Sequence, residues 1–364
     1  MFKETFKYYK SKCPPPTYEK VIDFDTIDKD AIIVNSPKKV KNPDKYRIRG
    51  LIPVDQWQIC ELKNRPGLIF IRNPFTIRGQ RYWIARCLQD YPKAPHVVNL
   101  NEKYFSKDII DDWWYSLQKV NQSRDDKEKI RLKNGMRWTT LGYHHDWDTK
   151  IYAEEKRHKF PDDLAKLNEY FAEVLGLGEY SAEAAIVNFY PLGTTLAGHT
   201  DHSEKNLEAP LFSISFGQTA IFMLGGKTKE EEASAMFLKS GDIVCMSKES
   251  RLCYHAVPRI MKTDVNWVNS PLNETDESNS KEQETITTEN EEDVDSDGDN
   301  KNHKKRRLTS PSENEYNDVF VESLWTSIAD PKQWQPFANY ITDCRINVNV
   351  RQVLEHGEQS LNLQ

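Results

Sequence analysis

Gly198-His199-Thr200-Asp201 sets an imidazole and a carboxylate two residues apart. In extended backbone, residues i and i+2 point to the same side, so both groups can approach one ion. A second imidazole, His255, follows an apolar stretch and the segment Ser250-Arg251-Leu252. Two imidazoles and one carboxylate make the facial set that holds non-haem iron(II), with the opposite positions left open for a co-substrate and dioxygen. His144, His145 and His202 compete for attention, and a single histidine is more often structural than a ligand. A closed zinc site is the alternative use. It would want N/S coordination, and Cys253 shares strand parity with His255 but has no second cysteine near it in sequence.

Near the C-terminal end, Ile346, Val348 and Val350 alternate with Arg345, Asn347, Asn349 and Arg351. The pattern is an amphipathic strand, and its polar face has two readings. It can lie in water, or it can line the interior of a barrel. In a barrel the six-residue step between the arginines spans roughly 20 Å. Two guanidinium groups folding inward then leave a gap that fits a short dicarboxylate, gripped through paired charge-assisted hydrogen bonds. Combined with the triad, the second reading specifies 2-oxoglutarate oxygenase chemistry better than either part alone.

The elements that must position these groups are legible in outline. Tyr82, Ile84, Ala85, Leu88 and Tyr91 have helical spacing after a turn at Asn73-Pro74. A second helix starts near Pro161 and Asp162, carries Leu164, Leu167, Tyr170, Phe171 and Leu175 as its apolar stripe, and ends at Gly176 or Gly178. After Glu183 the chain breaks into short apolar runs, AAIVNFY, LFSISFG, AIFMLGG, AMFLKSGDIVCM and RINVNVRQV. Such runs predict an antiparallel sandwich or barrel. Residues 262–317 are polar, acidic and nearly free of large apolar groups after Trp267, which predicts a disordered surface insertion rather than an interdomain linker. The organisation expected is an N-terminal extension over 1–60, a helical region over 61–182, and a core over 183–261 and 318–355.

The charge balance needs the same division. The 364 residues carry a net −6, but residues 273–300 alone hold twelve acids and one lysine, leaving +5 for the rest. That remainder includes the basic cluster Lys304-Lys305-Arg306-Arg307, either a nuclear import signal or a counterweight to the acids. The folded part is near neutral, so a polyanionic partner is neither demanded nor excluded. Six scattered cysteines without a CxxC pair suit reduced thiols. No run is long and apolar enough for a membrane helix, and a mean hydropathy of −0.75 fits a soluble chain. The MFKETFKYYKSK start is a poor transit peptide.

The ordered set LGYHH with DWD, NFY, HTD, SISFGQTAIFMLGG, SGDIVCMS, SRLCYHAVPR and RINVNVRQV resembles the AlkB family of nucleic-acid dioxygenases, most closely the AlkB homologue 1 type. The resemblance spans most of the chain outside the acidic segment and the extreme tail. It implies an α+β protein with a double-stranded β-helix (jelly-roll) core and an N-terminal extension forming a nucleotide-recognition lid. It implies Fe(2+), 2-oxoglutarate and O2, with His199, Asp201 and His255 as metal ligands and Asn188, Tyr190, Arg345, Asn347 and Arg351 holding the co-substrate. Trp138, Tyr143 and Trp147 fall where the lid is expected, as base contacts, with a core position the equal alternative for Trp138 and Trp147. Ser203 stands where the bacterial founder has an acid that contacts the methylated base, and Arg251 matches a family arginine near the metal. The implied partner is transfer RNA or another methylated nucleic acid, acted on by a monomer. The implied activities are 1-methyladenosine demethylation, 5-methylcytosine oxidation and action on DNA N6-methyladenine. The implied residence is the nucleus and cytoplasm or the mitochondrion. The same chemistry on histone methyl-lysine and a non-catalytic RNA-binding protein are the alternatives.

Overall fold

The computed structural model describes residues 1–46, 48–123, 125–265, Trp267, Leu272 and 320–361. In chain order its strands are β1 (Ile32–Asn35), β2 (Gln58–Leu62), β3 (Leu68–Arg72), β4 (Val97–Val98), β5 (Trp138–His145), β6 (Tyr152–Arg157), β7 (Ala184–Pro191), β8 (Leu196–His199), β9 (Leu211–Gly217), β10 (Thr219–Leu224), β11 (Ser234–Leu238), β12 (Ile243–Met246), β13 (His255–Met261) and β14 (Cys344–Arg351). Its principal helices are α1 (Phe2–Lys10), α2 (Ile77–Ala85), α3 (Lys107–Asp111), α4 (Trp113–Asn121), α5 (Asp126–Gly135), α6 (Asp162–Leu175), α7 (Glu322–Ser327) and α8 (Pro331–Ile341).

Two sheets share these strands. The large one is ordered β1-β2-β3-β12-β9-β14-β7-β5-β4, with β6 on β5, and the small one β11-β10-β13-β8. From β7 onward the chain passes repeatedly between them, and among the described strands of this stretch only β10 and β11 form a hairpin within one sheet. This is the double-stranded β-helix, with β12, β9, β14 and β7 opposite β11, β10, β13 and β8. The predicted runs all become strands, each with alternating faces as the period of two requires.

Alternation distributes the core. Phe212, Ile214, Phe216, Ile346, Val348 and Val350 turn to one side of the large sheet, where Tyr82, Trp113, Phe171 and Trp334 of the helical layer cover them. Between the sheets, Phe70, Tyr190, Leu211 and Val244 meet Ala220, Phe222, Leu224 and Val257. At roughly 1.5–3 kcal/mol per buried large apolar side chain, these two layers dominate the stability and hold the polar face of β14 against the inter-sheet space.

The helices begin and end where their residues dictate. The Thr76 hydroxyl accepts from Gly79 N at the start of α2, which continues as one π turn over Arg86–Asp90. Gly176 closes α6 in the left-handed region at φ 68°.

β1, β2 and β3 extend the large sheet, and α1 packs on the outer face of the small one through Phe2 and Tyr9 against Ile221, Met223 and Ala256. The chain leaving β13 is still held at Thr263, which donates to Gln218 Oε1, and at Trp267, whose carbonyl accepts from Trp334 Nε1. The remainder of the expected insertion, including the basic cluster, lies outside the described residues. No described helix is long and apolar enough to cross a membrane.

Candidate active site

β8 and β13 are neighbours in the small sheet, and their register sets His199 directly opposite His255. The rings stand 4.3 Å apart between centroids. Asp201, just past the end of β8, completes the cluster, with its oxygens 3.8 Å from His199 Nε2 and 3.7 Å from His255 Nε2. These donor atoms lie within 4.8 Å of one another and could hold a metal ion.

The local hydrogen bonds suit that use. His199 Nδ1 donates to the Ala197 carbonyl at 2.9 Å and His255 Nδ1 to Cys253 O at 3.3 Å, so each Nε2 keeps its lone pair toward Asp201. Burial pushes the His255 imidazole down to about 4, and Asp201 opposes this only in part. Burial also opposes charge on Asp201, but Arg351 first, then His255, His199 and Arg251, hold its carboxyl well below the usual range. His255 is therefore a neutral imidazole and Asp201 a carboxylate near neutral pH. Gly198 has its own reason: a Cβ there would lie 2.5 Å from the Phe2 ring, so only glycine lets α1 close over this strand.

Facing the triad, β14 pairs with β7 so that Arg345 is opposite Tyr190 and Asn347 opposite Asn188. The polar face of β14 lines the interior, which decides between the two readings of its alternation. Asn347 Nδ2 donates to Ser213 Oγ at 2.8 Å, and Arg345 Nη2 to Ser215 Oγ at 2.9 Å. Arg345 is 1% exposed and forms no ion pair among the described residues. Its Nε and Nη1 lack partners, as does the buried Tyr190 hydroxyl. Burial without a facing carboxylate pulls the Arg345 guanidinium down to about 10. Such orphaned donors around a buried cation fit an anionic group that the protein does not itself supply.

Arg351 is differently placed. Its Nη2 is 3.0 Å from Asp201 Oδ2 and its Nε is 3.0 Å from Glu204 Oε1, the latter off line for a hydrogen bond, while Nη1 stays without a partner. The expectation that both arginines fold toward one dicarboxylate is thus refined. Arg351 belongs to the triad's end of the strand, Arg345 to the far end.

Two expected substrate contacts are corrected. Arg251 is 2% exposed and donates to Ala209 O, Asp201 O and Glu204 Oε2, so it buttresses the loop carrying Asp201 and has no side chain left for a base. Tyr143 is 1% exposed, packs with Tyr152, and donates to Glu154 at 2.5 Å, which makes it core. The other candidates do reach the cavity or its rim. Trp147 and Ser203 line the triad cavity of about 490 Å3. Trp138, opposite Asn188 on β5, meets Trp147 at 5.2 Å between ring centroids. Ser203 Oγ hydrogen-bonds His145 Nε2 at 3.0 Å.

The competing histidines separate cleanly. His144 is buried against Thr140 and His158, whereas His145 and His202, the latter bonded to Thr200, both add to the cavity wall beside the ligand set. The Cys253 thiol donates to Glu249 O and is absent from the donor cluster, which removes the zinc alternative built on it.

Glu204 is the residue that sequence reasoning missed. It is buried and joins Arg251, Arg351 and the Tyr152 hydroxyl. Nothing about an acid three residues past Asp201 separates it from a surface glutamate until the arginines close around it.

Residues 67–351 match the 2OG-Fe(II) oxygenase superfamily. Nucleic acid dioxygenase ALKBH1 of Mus musculus is 35% identical over 379 residues, covering 98% of this chain and 85% of its own. The Homo sapiens protein of the same name is 40% identical over 276 residues, covering 71% and 70%. tRNA demethylase abh1 of Schizosaccharomyces pombe is 44% identical over 232 residues, covering 60% and 76%. The superfamily implies iron(II), 2-oxoglutarate and dioxygen, and the residues clustered here fit the first two. By these matches and this geometry the chain belongs to the 2OG-Fe(II) oxygenase superfamily and, within it, to the ALKBH1 type of the AlkB family.

Proposed function

We propose that the protein oxidises methyl groups on nucleic-acid bases, with transfer RNA favoured, 1-methyladenosine and 5-methylcytosine as its leading targets and DNA N6-methyladenine as a further one. The observation that carries this is the His199–Asp201–His255 cluster in one cavity whose rim bears paired tryptophans, in a chain whose relatives are named for nucleic-acid oxidation.

Each residue has a defined task in that reaction. His199, Asp201 and His255 would hold the iron from one side. Arg345 and the Tyr190 hydroxyl would take the distal carboxylate of 2-oxoglutarate, with Asn188 and Asn347 along its length and Arg351 Nη1 near the metal. The bound iron supplies the oxidation: O2 and 2-oxoglutarate are consumed, one oxygen atom goes to the methyl group, and succinate and CO2 depart. A hydroxymethyl on nitrogen then loses formaldehyde to give the free base, whereas on carbon it persists. Glu204 and Arg251 are positioning residues that keep Arg351 and the Asp201 loop in place.

A base can reach the cavity only after leaving its stack. Trp147 is exposed beside His145 and Trp138, and such a surface can stack on an unpaired base. A loop of structured RNA meets that requirement at lower cost than an intact duplex.

Mass spectrometry of methylated tRNA stem-loops, methylated DNA and a methylated histone peptide, each incubated with iron, 2-oxoglutarate and the protein, tests the reading. Loss of 1-methyladenosine with wild type but not with Asp201→Ala is expected. Untouched stem-loops beside a converted peptide would overturn it.

A further inference from the structure

The triad cavity is not the sole opening into the space between the sheets. A second cavity of about 460 Å3 is bordered by Trp138, Asn188, Tyr190 and Leu196, with Lys10 and Arg137 at its rim. Asn188 and Leu196 border both cavities, so the two adjoin across that pair.

Both cavities carry exposed cations, but their walls differ. The first has Lys150, Lys229, the exposed Trp147 ring and the metal-ligand set. The second has two cations from separate elements, Lys10 in the last turn of α1 and Arg137 just before β5. Both are exposed, and neither forms an ion pair among the described residues. Its wall includes Tyr190, 7% exposed with its hydroxyl unpartnered, and the Arg345 guanidinium lies 5.6 Å from that ring's centre with two nitrogens unpartnered. A cationic rim thus leads toward a buried cation that lacks its anion.

We propose that the second cavity is the passage for the dicarboxylate: 2-oxoglutarate enters and succinate leaves between Lys10 and Arg137, apart from the mouth at Trp147 that takes the base. The inference rests on the oxygenase reading above and adds a route to it. Uncompensated cations at a low-dielectric opening concentrate a dianion and speed its association. A single mouth would be covered by a bound polynucleotide. With two, succinate can be exchanged for fresh 2-oxoglutarate while the nucleic acid stays bound. Successive oxidations of one methyl carbon then need no release of the substrate, each round consuming one O2 and one 2-oxoglutarate and yielding one succinate and one CO2.

The test is anaerobic stopped-flow on the full-length, iron-loaded protein, following 2-oxoglutarate by its charge-transfer absorbance with the metal. A saturating RNA stem-loop is expected to leave the association rate within about twofold. Lys10→Glu with Arg137→Glu is expected to slow association roughly three- to tenfold at low salt, with the difference shrinking as salt rises. The milder Lys10→Gln with Arg137→Gln should fall between, which separates charge from misfolding. RNA that blocks 2-oxoglutarate association overturns the proposal. So does a double variant with unchanged 2-oxoglutarate rates but weakened RNA binding, which would make the rim a phosphate contact instead. The oxygenase reading is checked separately by Arg345→Ala: only if wild type and this variant both fail to bind 2-oxoglutarate does that reading fall as well.

Discussion

Arg351 and Arg345 project from one face of β14, six residues apart, into opposite circumstances. Around Arg351 the protein supplies its own anions, and Asp201, Glu204 and Arg251 close a buried network in which charges alternate. Around Arg345 it supplies serine and tyrosine hydroxyls and no carboxylate, leaving two nitrogens idle. Burial raises the cost of charge at both places. At one end the cost is met by the fold, and at the other it is left for a ligand to meet. The difference separates a group that shapes the metal site from one that recognises a co-substrate, even though both are arginines on one strand.

Breaking the closed end should have the largest effect. Glu204→Ala leaves two guanidinium groups facing each other in the interior and is expected to cost about 3–5 kcal/mol of stability, read as a lowered urea midpoint. An unchanged midpoint would mean that the network is not structural.

The open end should respond with mixed sign. Arg345→Met removes an unpaired buried charge and is expected to stabilise the unliganded protein by about 1–3 kcal/mol. It should also weaken 2-oxoglutarate binding on the order of a hundredfold. Calorimetric titration beside a melting curve checks both, and a loss of stability together with affinity would erase the contrast.

Smaller effects belong to the rim. Trp147→Ala should raise the KM for RNA, by a loss of about 1–2 kcal/mol of stacking, without changing 2-oxoglutarate affinity. Smallest of all, Tyr143→Phe should cost about 1 kcal/mol of stability and leave RNA kinetics alone, because its hydroxyl serves Glu154 and not the cavity.

How much of this was legible in the sequence follows from the range of the forces involved. The HxD spacing, the alternation of β14 and the apolar stripe of α6 are local patterns, and the fold uses each as written. The pairing of His199 with His255 is not local, since it needs β8 and β13 to be neighbours, and neither short strand stood out among Gly, Thr and Pro residues. The hairpin of β2 and β3 has a turn signal in Arg65-Pro66-Gly67 between two apolar runs, but each run is too short to be told from a buried helical segment by periodicity. Tyr143 and Arg251 were misplaced because an aromatic or a cation near a motif reads as functional until its neighbours are known. Glu204 was invisible for the converse reason: its partners come from Arg251 and Arg351, far along the chain.

One feature of the topology bears on how the protein comes into being. β14 follows every other described strand in the chain, yet it sits between β9 and β7 in the middle of the large sheet, paired with β7 from Cys344 to Arg351 and with β9 from Arg345 to Arg351. Until a ribosome has delivered those residues, the sheet is split, with two long apolar edges unpaired. A nascent or prematurely stopped chain therefore lacks both the co-substrate arginines and the strand that joins the sheet's halves. It should be removed by proteolysis rather than linger as a metal-binding half-enzyme. Competence therefore waits on the strand that acts as the sheet's keystone.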